Sequence, residues 1–138
     1  MAFKTIYRHR VEWGDCDGMA IVFYPNYFRW FDSASHLLFR SAGLDWTDLD
    51  ARFGIPGLPL VDAQARFVLP SKFNDELAIE SHVSEWHSKL LVVTHKVMNG
   101  DRLAVEGTEK RVWAGPHPDQ PGRLKSHVIP DEIRDALS

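Results

Sequence analysis

From Tyr27 to Ala42 the large apolar residues fall at Tyr27, Trp30, Phe31, Ala34, Leu37, Leu38 and Ala42. That is the three-and-four spacing of a helix with one broad buried face. Pro25 suits the first turn, where no backbone donor is needed, and Gly43 stands where a left-handed residue would end the helix. A helix this apolar has to be wrapped, and most of the remaining chain alternates like strand. The pattern predicts an α+β fold in which an antiparallel sheet curls around one long helix.

Residues 5–13 alternate, with Tyr7, His9, Val11 and Trp13 on one side and Arg8, Arg10 and Glu12 on the other, as in a half-buried strand. A short loop with two carboxylates, Asp15 and Asp17, leads to the helix start at about Tyr24 to Asn26. A short helix is expected from Asp45, as N-cap, to Phe53, and the GIPGLP run at 54–59 is a stiff turn. Strand period returns at Leu60, with Val61, Ala63, Ala65, Phe67 and Leu69 sharing a face opposite Asp62, Gln64 and Arg66. After a turn at 70–75, a third strand runs from Leu77 to about Trp86, a tight connection falls at His87-Ser88, and a fourth runs from Lys89 to Met98. Asn99-Gly100-Asp101 is a hairpin signal, and a fifth strand follows to about Trp113. A proline-rich loop (115–122), an extended piece (124–128) and a small terminal helix (130–137) close the chain. The strands after the helix are expected to be joined as consecutive hairpins. Leu60, Val68, Leu90 and Val92 fall on the outer face of such a sheet, which predicts oligomerisation.

With 138 residues the chain suits one domain spanning 1–138. Its 44% hydrophobic and 25% charged residues are those of a folded protein. A net charge of −3 speaks against nucleic-acid binding. There is no apolar run of membrane-spanning length and no apolar leader segment. Cys16 is the single cysteine, so no internal disulfide is available, and a cytoplasmic setting is expected.

Asp15 and Asp17, two apart, share a direction if the backbone is extended there. A carboxylate beside the start of a buried helix sits next to exposed N–H groups that stabilise a developing oxyanion. Phe23, Tyr24 and Trp30 supply an apolar, aromatic surround. Such a carboxylate suits a nucleophile or base attacking or hydrating an acyl group; the structural alternative is that one aspartate caps a turn and the other is solvated. Cys16 would point away from both and reads as a small core residue. The histidines are scattered without metal-ligand spacing, so neither a metal nor a cofactor is expected. His82 and His95 read as packed or surface residues, while His36 lies on the helix where it could reach a site. His87, Ser88 and Lys89, with Arg123 and Lys125, could bind a nucleotide phosphate or be ordinary turn residues. Serine-hydrolase, phosphate-loop and dinucleotide motifs are missing.

The block WGDCDGMAIVFYPNYFRWFDSAS resembles the 4-hydroxybenzoyl-CoA thioesterase family of hotdog-fold proteins, and the likeness continues through GIPGLPLVDAQARFVLPSKFNDELAIES and the EWHSK turn. The resemblance implies a hotdog fold with dimers that join sheets and often tetramers. It implies hydrolysis of an aromatic or medium-size acyl-CoA without metal or organic cofactor. It places the catalytic carboxylate on Asp17, the oxyanion donor on the Tyr24 N–H, the CoA phosphates near Lys89 with His87 and Ser88, and Asp32 near the acyl pocket. Where the family commonly has Pro-Ala-Gly after this aspartate, the chain has Gly18-Met19-Ala20, and Phe23 replaces a frequent Trp. The competing readings are a hotdog dehydratase or isomerase, for which His36 would have to pair with an acid, and a non-catalytic acyl-CoA-binding oligomer.

Overall fold

The computed structural model describes residues 2–138. In chain order its elements are β1 (Thr5–Arg10), α1 (Pro25–Ser41), α2 (Trp46–Phe53), β2 (Leu60–Phe67), β3 (Glu76–Trp86), β4 (Leu90–Asn99), β5 (Arg102–Val112), β6 (Ala114–Pro116), β7 (Leu124–Ser126) and α3 (Asp131–Leu137). β1 to β5 form one antiparallel sheet packed on α1, and β6 and β7 form a separate two-stranded ribbon.

α1 starts at Pro25 and buries Tyr27, Trp30, Phe31, Ala34, Ser35, Leu38 and Phe39. Ser35 and Phe39 thus join the expected apolar face, whereas Leu37 stays half-buried. Gly43 follows the helix at φ 78°, a conformation that carries no Cβ penalty for glycine. Asp45 caps α2 by accepting the Thr47 N–H at 3.0 Å. The same bond, helped by the Thr47 hydroxyl and Arg40, holds the Asp45 carboxyl below its ordinary value.

The sheet order β1-β3-β4-β5-β2 departs from the expected run of hairpins. β3, β4 and β5 do form a meander, with Asn99 opposite Arg102 across the Gly100-Asp101 turn. β2, however, pairs with β5 at the far edge. The physical reason is occupancy: β1 already covers the free side of β3, from Thr5 opposite Ser81 to Arg10 opposite Glu76. β1 itself is shorter than expected. After Val11, which exchanges backbone bonds with Asn74 and Asp75, the chain turns tightly at Trp13–Asp15. Trp13 therefore does not face the core; it is 75% exposed and meets Phe73 edge-on. Ala63, Ala65 and Phe67 stand opposite Glu109, Gly107 and Val105 on the inward side of β5, as expected, but a register shift between Leu60 and Asp62 takes Val61 out of the pairing, and at this sheet edge Val61 and Phe67 are exposed. Val92, expected outside, is only 4% exposed, with Glu85 and Lys110 as its cross-strand neighbours.

The core has two apolar clusters. One, nearer the start of α1, contains Tyr27, Trp30, Phe31, Ile79, Val97 and Val105. The other, toward the helix end, contains Leu38, Leu49, Val83, Val93, Trp113 and Ile133. Between them lies a buried polar layer of Ser35, Ser81, His95 and Glu109, one residue from each neighbouring element. His95 accepts or donates to Ser81 Oγ at 2.6 Å through Nδ1 and meets Glu109 at 2.9 Å through Nε2, while its ring stacks on Phe31. Gly107 permits this close approach: a Cβ there would stand 2.3 Å from the Phe31 ring.

Candidate active site

The turn that ends β1 sets the geometry of the carboxylate loop. Asp15 Oδ2 accepts the Glu12 N–H and contacts His9 Nε2, each at 2.8 Å. The Asp15 carbonyl accepts the Phe23 N–H and the Asn26 side-chain amide, each at 2.9 Å, which brings the helix start back against the loop. Asp17 N donates to the Ile21 carbonyl, and Cys16 bridges to Val22, so residues 16–22 form a small closed hairpin. At its tip Ala20 holds φ 63°, a conformation that costs a residue with a Cβ about 1–2 kcal/mol.

The two aspartates line different clefts: Asp15 closes the tight turn at Trp13–Asp15, whereas Cys16 between them is extended and bridges to Val22. Asp15 faces a cleft of about 640 Å³ with Tyr7, His9, Trp30 and Asp32. Asp17 faces a largely apolar cleft of about 400 Å³ with Tyr24, Tyr27, Phe67 and Leu69. A further hollow of about 510 Å³, with Trp13, Lys72 and Phe73, opens on its other side. Asp17 Oδ1 accepts the Met19 N–H at 2.8 Å, which fixes the carboxyl plane.

Tyr24 stands immediately before Pro25 in helical conformation. Its N–H has no hydrogen-bond partner among the described residues. Pro25 has no N–H of its own, so this orphan donor marks the positive end of α1. Tyr24 and Asp17 line the same cleft. A residue with an unpartnered N–H and a carboxylate residue thus line one apolar cleft, and such a donor and carboxylate are the parts needed to polarise a carbonyl and attack it. Tyr27 adds a buried phenol: burial pushes its hydroxyl up, against a lowering bond from Ser71, so it remains neutral.

The other expected site residues are spread. Phe23 is exposed beside the Tyr24 ring. Trp30 is buried between Tyr27 and His9. Asp32 lines the Asp15 cleft and pairs with Arg111 at 2.7 Å. His36 lies 3.5 Å from Asp32 and against the Trp46 ring. Cys16 is half-buried against the cluster near the helix start. His82 is half-buried in β3, and burial draws its imidazole down. His87, Ser88 and Lys89 are exposed at the β3–β4 turn, at the opposite end of the sheet from the loop. β3 has 11 residues, which separates those ends by about 33 Å at 3.3 Å per residue. Ile129 N bonds the Ser88 carbonyl, so the stretch after Lys125 also runs to that distant end.

Two arrangements were not foreseen. One is the His9–Asp15 pair, which forms only because the chain turns at Trp13–Asp15 instead of continuing as strand. The other is Glu109 and Arg111, whose buried side chains join Asp32 to His95. Their signal was available: Val105, Gly107, Glu109 and Arg111 alternate on the inward face of β5.

Residues 11–137 match the sequence profile of the Thioesterase-like superfamily. The chain is 39% identical over 120 residues to 4-hydroxybenzoyl-CoA thioesterase of Pseudomonas sp. strain CBS-3, covering 83% of this chain and 85% of that one. It is 27% identical over 138 residues to 1,4-dihydroxy-2-naphthoyl-CoA hydrolase of Thermosynechococcus vestitus, covering 94% and 92% of the two chains. A crystal structure of a mutant 4-hydroxybenzoyl-CoA thioesterase complexed with 4-hydroxybenzoyl-CoA superposes with TM-score 0.91 at 34% identity, over 99% of this chain and 100% of that one. A gentisyl-coenzyme A thioesterase structure superposes with TM-score 0.80 at 32% identity, over 96% and 98%. With the antiparallel sheet, the single long helix and the carboxylate loop at its start, these matches establish that the chain belongs to the thioesterase-like superfamily and, within it, to the hotdog-fold 4-hydroxybenzoyl-CoA thioesterase family.

Proposed function

We propose that the protein hydrolyses aromatic acyl-CoA thioesters to the free acid and CoA. The observation that carries this reading is the shared cleft of Asp17 and the unpartnered Tyr24 N–H. A thioester carbonyl seated there would point its oxygen at Tyr24 N–H and its carbon at the Asp17 carboxylate. Asp17 then either attacks the carbon, expelling the thiolate and leaving an anhydride for water to open, or takes a proton from the attacking water. Relatives whose names specify hydroxybenzoyl, dihydroxynaphthoyl and gentisyl thioesters favour a hydroxylated aromatic acyl group.

A panel of benzoyl-, hydroxybenzoyl-, dihydroxybenzoyl- and short alkanoyl-CoA, followed by thiol release, tests the reading. The hydroxyaroyl esters are expected to give the highest kcat/KM, and an absence of thiol release from every member would refute hydrolysis. The dehydratase reading needs a His–acid pair at the reacting carbon. Within one chain the pairs on or beside α1, His9–Asp15 and His36–Asp32, do not line the Asp17 cleft.

The functional unit in this reading is a dimer built on the free edge of β2. That edge carries Leu60, Val61, Phe67 and Val68, all exposed. The opposite edge, β1, is guarded by Lys4, Arg8 and Arg10, the usual protection against strand pairing. Phe67 ends β2 at the Asp17 cleft, while Leu60 begins it at the Asp32 cleft and near Lys89. Antiparallel pairing of two β2 edges therefore sets the Asp32 cleft of one copy, and its His87–Lys89 turn, against the Asp17 cleft of the other. That arrangement would reunite the phosphate-binding candidates with the carboxylate. Sedimentation is expected to show a dimer or larger, and Val61→Asp is expected to yield monomer with activity falling in parallel. A fully active monomer would sink the shared-site arrangement.

A further inference from the structure

We propose that His9 is a positioning residue for the Tyr24 N–H, acting through Asp15; this rests on the thioesterase reading above. His9 does not line the cleft that holds Asp17 and Tyr24. It belongs to the wall of the neighbouring cleft, with Tyr7, Glu12, Arg29 and Asp32. Its Nε2 lies 2.8 Å from Asp15 Oδ2. That oxygen also accepts the Glu12 N–H, so it is the acceptor in both bonds and His9 supplies a proton on Nε2.

The Asp15 main chain passes this restraint on. Its carbonyl accepts from Phe23 N and from Asn26 Nδ2, the residues on either side of Tyr24 and Pro25. The Tyr24–Pro25 segment is thus slung between two bonds to a single oxygen. Pro25 cannot add a third, because it has no donor. The His9 ring also packs on Trp30, with centroids 4.4 Å apart, so β1 grips α1 at a second point. Asp17 hangs from the same residue, through Cys16 and the closed hairpin to Ile21 and Val22. Rotation of Asp15 would therefore move both the donor and the carboxylate. An oxyanion donor works only within a few tenths of an ångström of its proper place, and a misplacement near 1 Å costs about 10²-fold in rate.

The test compares His9→Leu, which fills space without donating, with His9→Gln, whose amide reaches Asp15 and donates. On the aroyl-CoA preferred by the parent protein, His9→Leu is expected to lower kcat about 10- to 100-fold with KM changed by less than about threefold. His9→Gln is expected to keep kcat within about threefold of the parent. Amide exchange at residues 22–27 should accelerate in His9→Leu while the β3–β5 meander keeps its protection. Parental kcat and exchange in His9→Leu would overturn the proposal. So would equal loss in both variants, since ring packing on Trp30 would then be the cause. If His9→Leu does not fold, His9→Asn, whose amide is too short to reach Asp15, takes its place. A parent that releases no thiol removes the thioesterase reading instead, and the exchange comparison still decides whether His9 holds the helix start.

Discussion

Asp17→Asn is expected to reduce turnover of the preferred aroyl-CoA by about 10²–10⁴-fold while leaving substrate binding close to that of the parent. The substitution isolates charge from shape. Asp17 Oδ1 accepts the Met19 N–H, and an asparagine oxygen does the same. The Asp17 N–H bond to Ile21 and the Ala20 N–H bond to Asp17 are main-chain bonds and survive. What disappears is the anionic oxygen required to attack a carbonyl or to take a proton from water. Thiol release measured at saturating ester, together with calorimetric binding of the same ester, separates the two effects. A kcat within about threefold of the parent would remove Asp17 from the chemistry.

Glu109→Gln is expected to destabilise the fold by about 3–5 kcal/mol, read from urea unfolding. Glu109 is buried and contacts Ser35, His95 and Arg111. Arg111, itself buried, spends its remaining donors on the Leu58 carbonyl and on Asp32, and its guanidinium lies over the Trp46 ring. Neutralising Glu109 leaves that guanidinium without its buried counter-charge. A double change, Glu109→Leu with Arg111→Met, removes both charges and is expected to recover part of the loss, because a paired burial replaced by apolar groups is often near neutral. A loss under about 1 kcal/mol in the single variant would show that Asp32 alone compensates Arg111.

The same network makes stability depend on acid. Burial by itself would raise the Glu109 carboxyl, but the bond from His95, the Arg111 charge and the Ser35 hydroxyl outweigh it, and the net displacement is downward from 4.5. A carboxylate lowered in the folded state contributes its stability in full above its unfolded value and loses it as pH falls through the folded one. Unfolding measured between neutral pH and pH 3 is therefore expected to show the contribution disappearing below about pH 4.5, and Glu109→Gln should flatten that part of the curve.

The residues that carry these effects differ in how far a linear reading reaches them. Local cues, an apolar helical period, a proline in its first turn and carboxylates a few residues upstream, lead to a carboxylate loop at the helix start, and the family resemblance is what singles out Asp17 and the Tyr24 N–H within it. Asp32 was legible as a position, but its Arg111 partner lies on β5, and no local spacing connects them. His9 was placed on the correct strand, yet its bond to Asp15 depends on the chain turning at Trp13 instead of continuing extended. Lys89 falls in the β3–β4 turn, one residue before the strand expected to start at it, and only the sheet's length reveals that a single chain holds it far from Asp17.

By itself the sequence determined what is encoded within a few residues: the long buried helix and its start, the short capped helix, the β3–β4–β5 meander with its Gly100 turn, and the motif that identifies the family. The tertiary structure alone decided that β2 crosses to the outer side of β5, that Asp15 and Asp17 face different clefts, and that a layer of two serines, a histidine and a glutamate divides the core. Helical and strand periods are set by the backbone's own geometry. Strand order and buried ion pairs are set by which surfaces remain free once the earlier elements have packed.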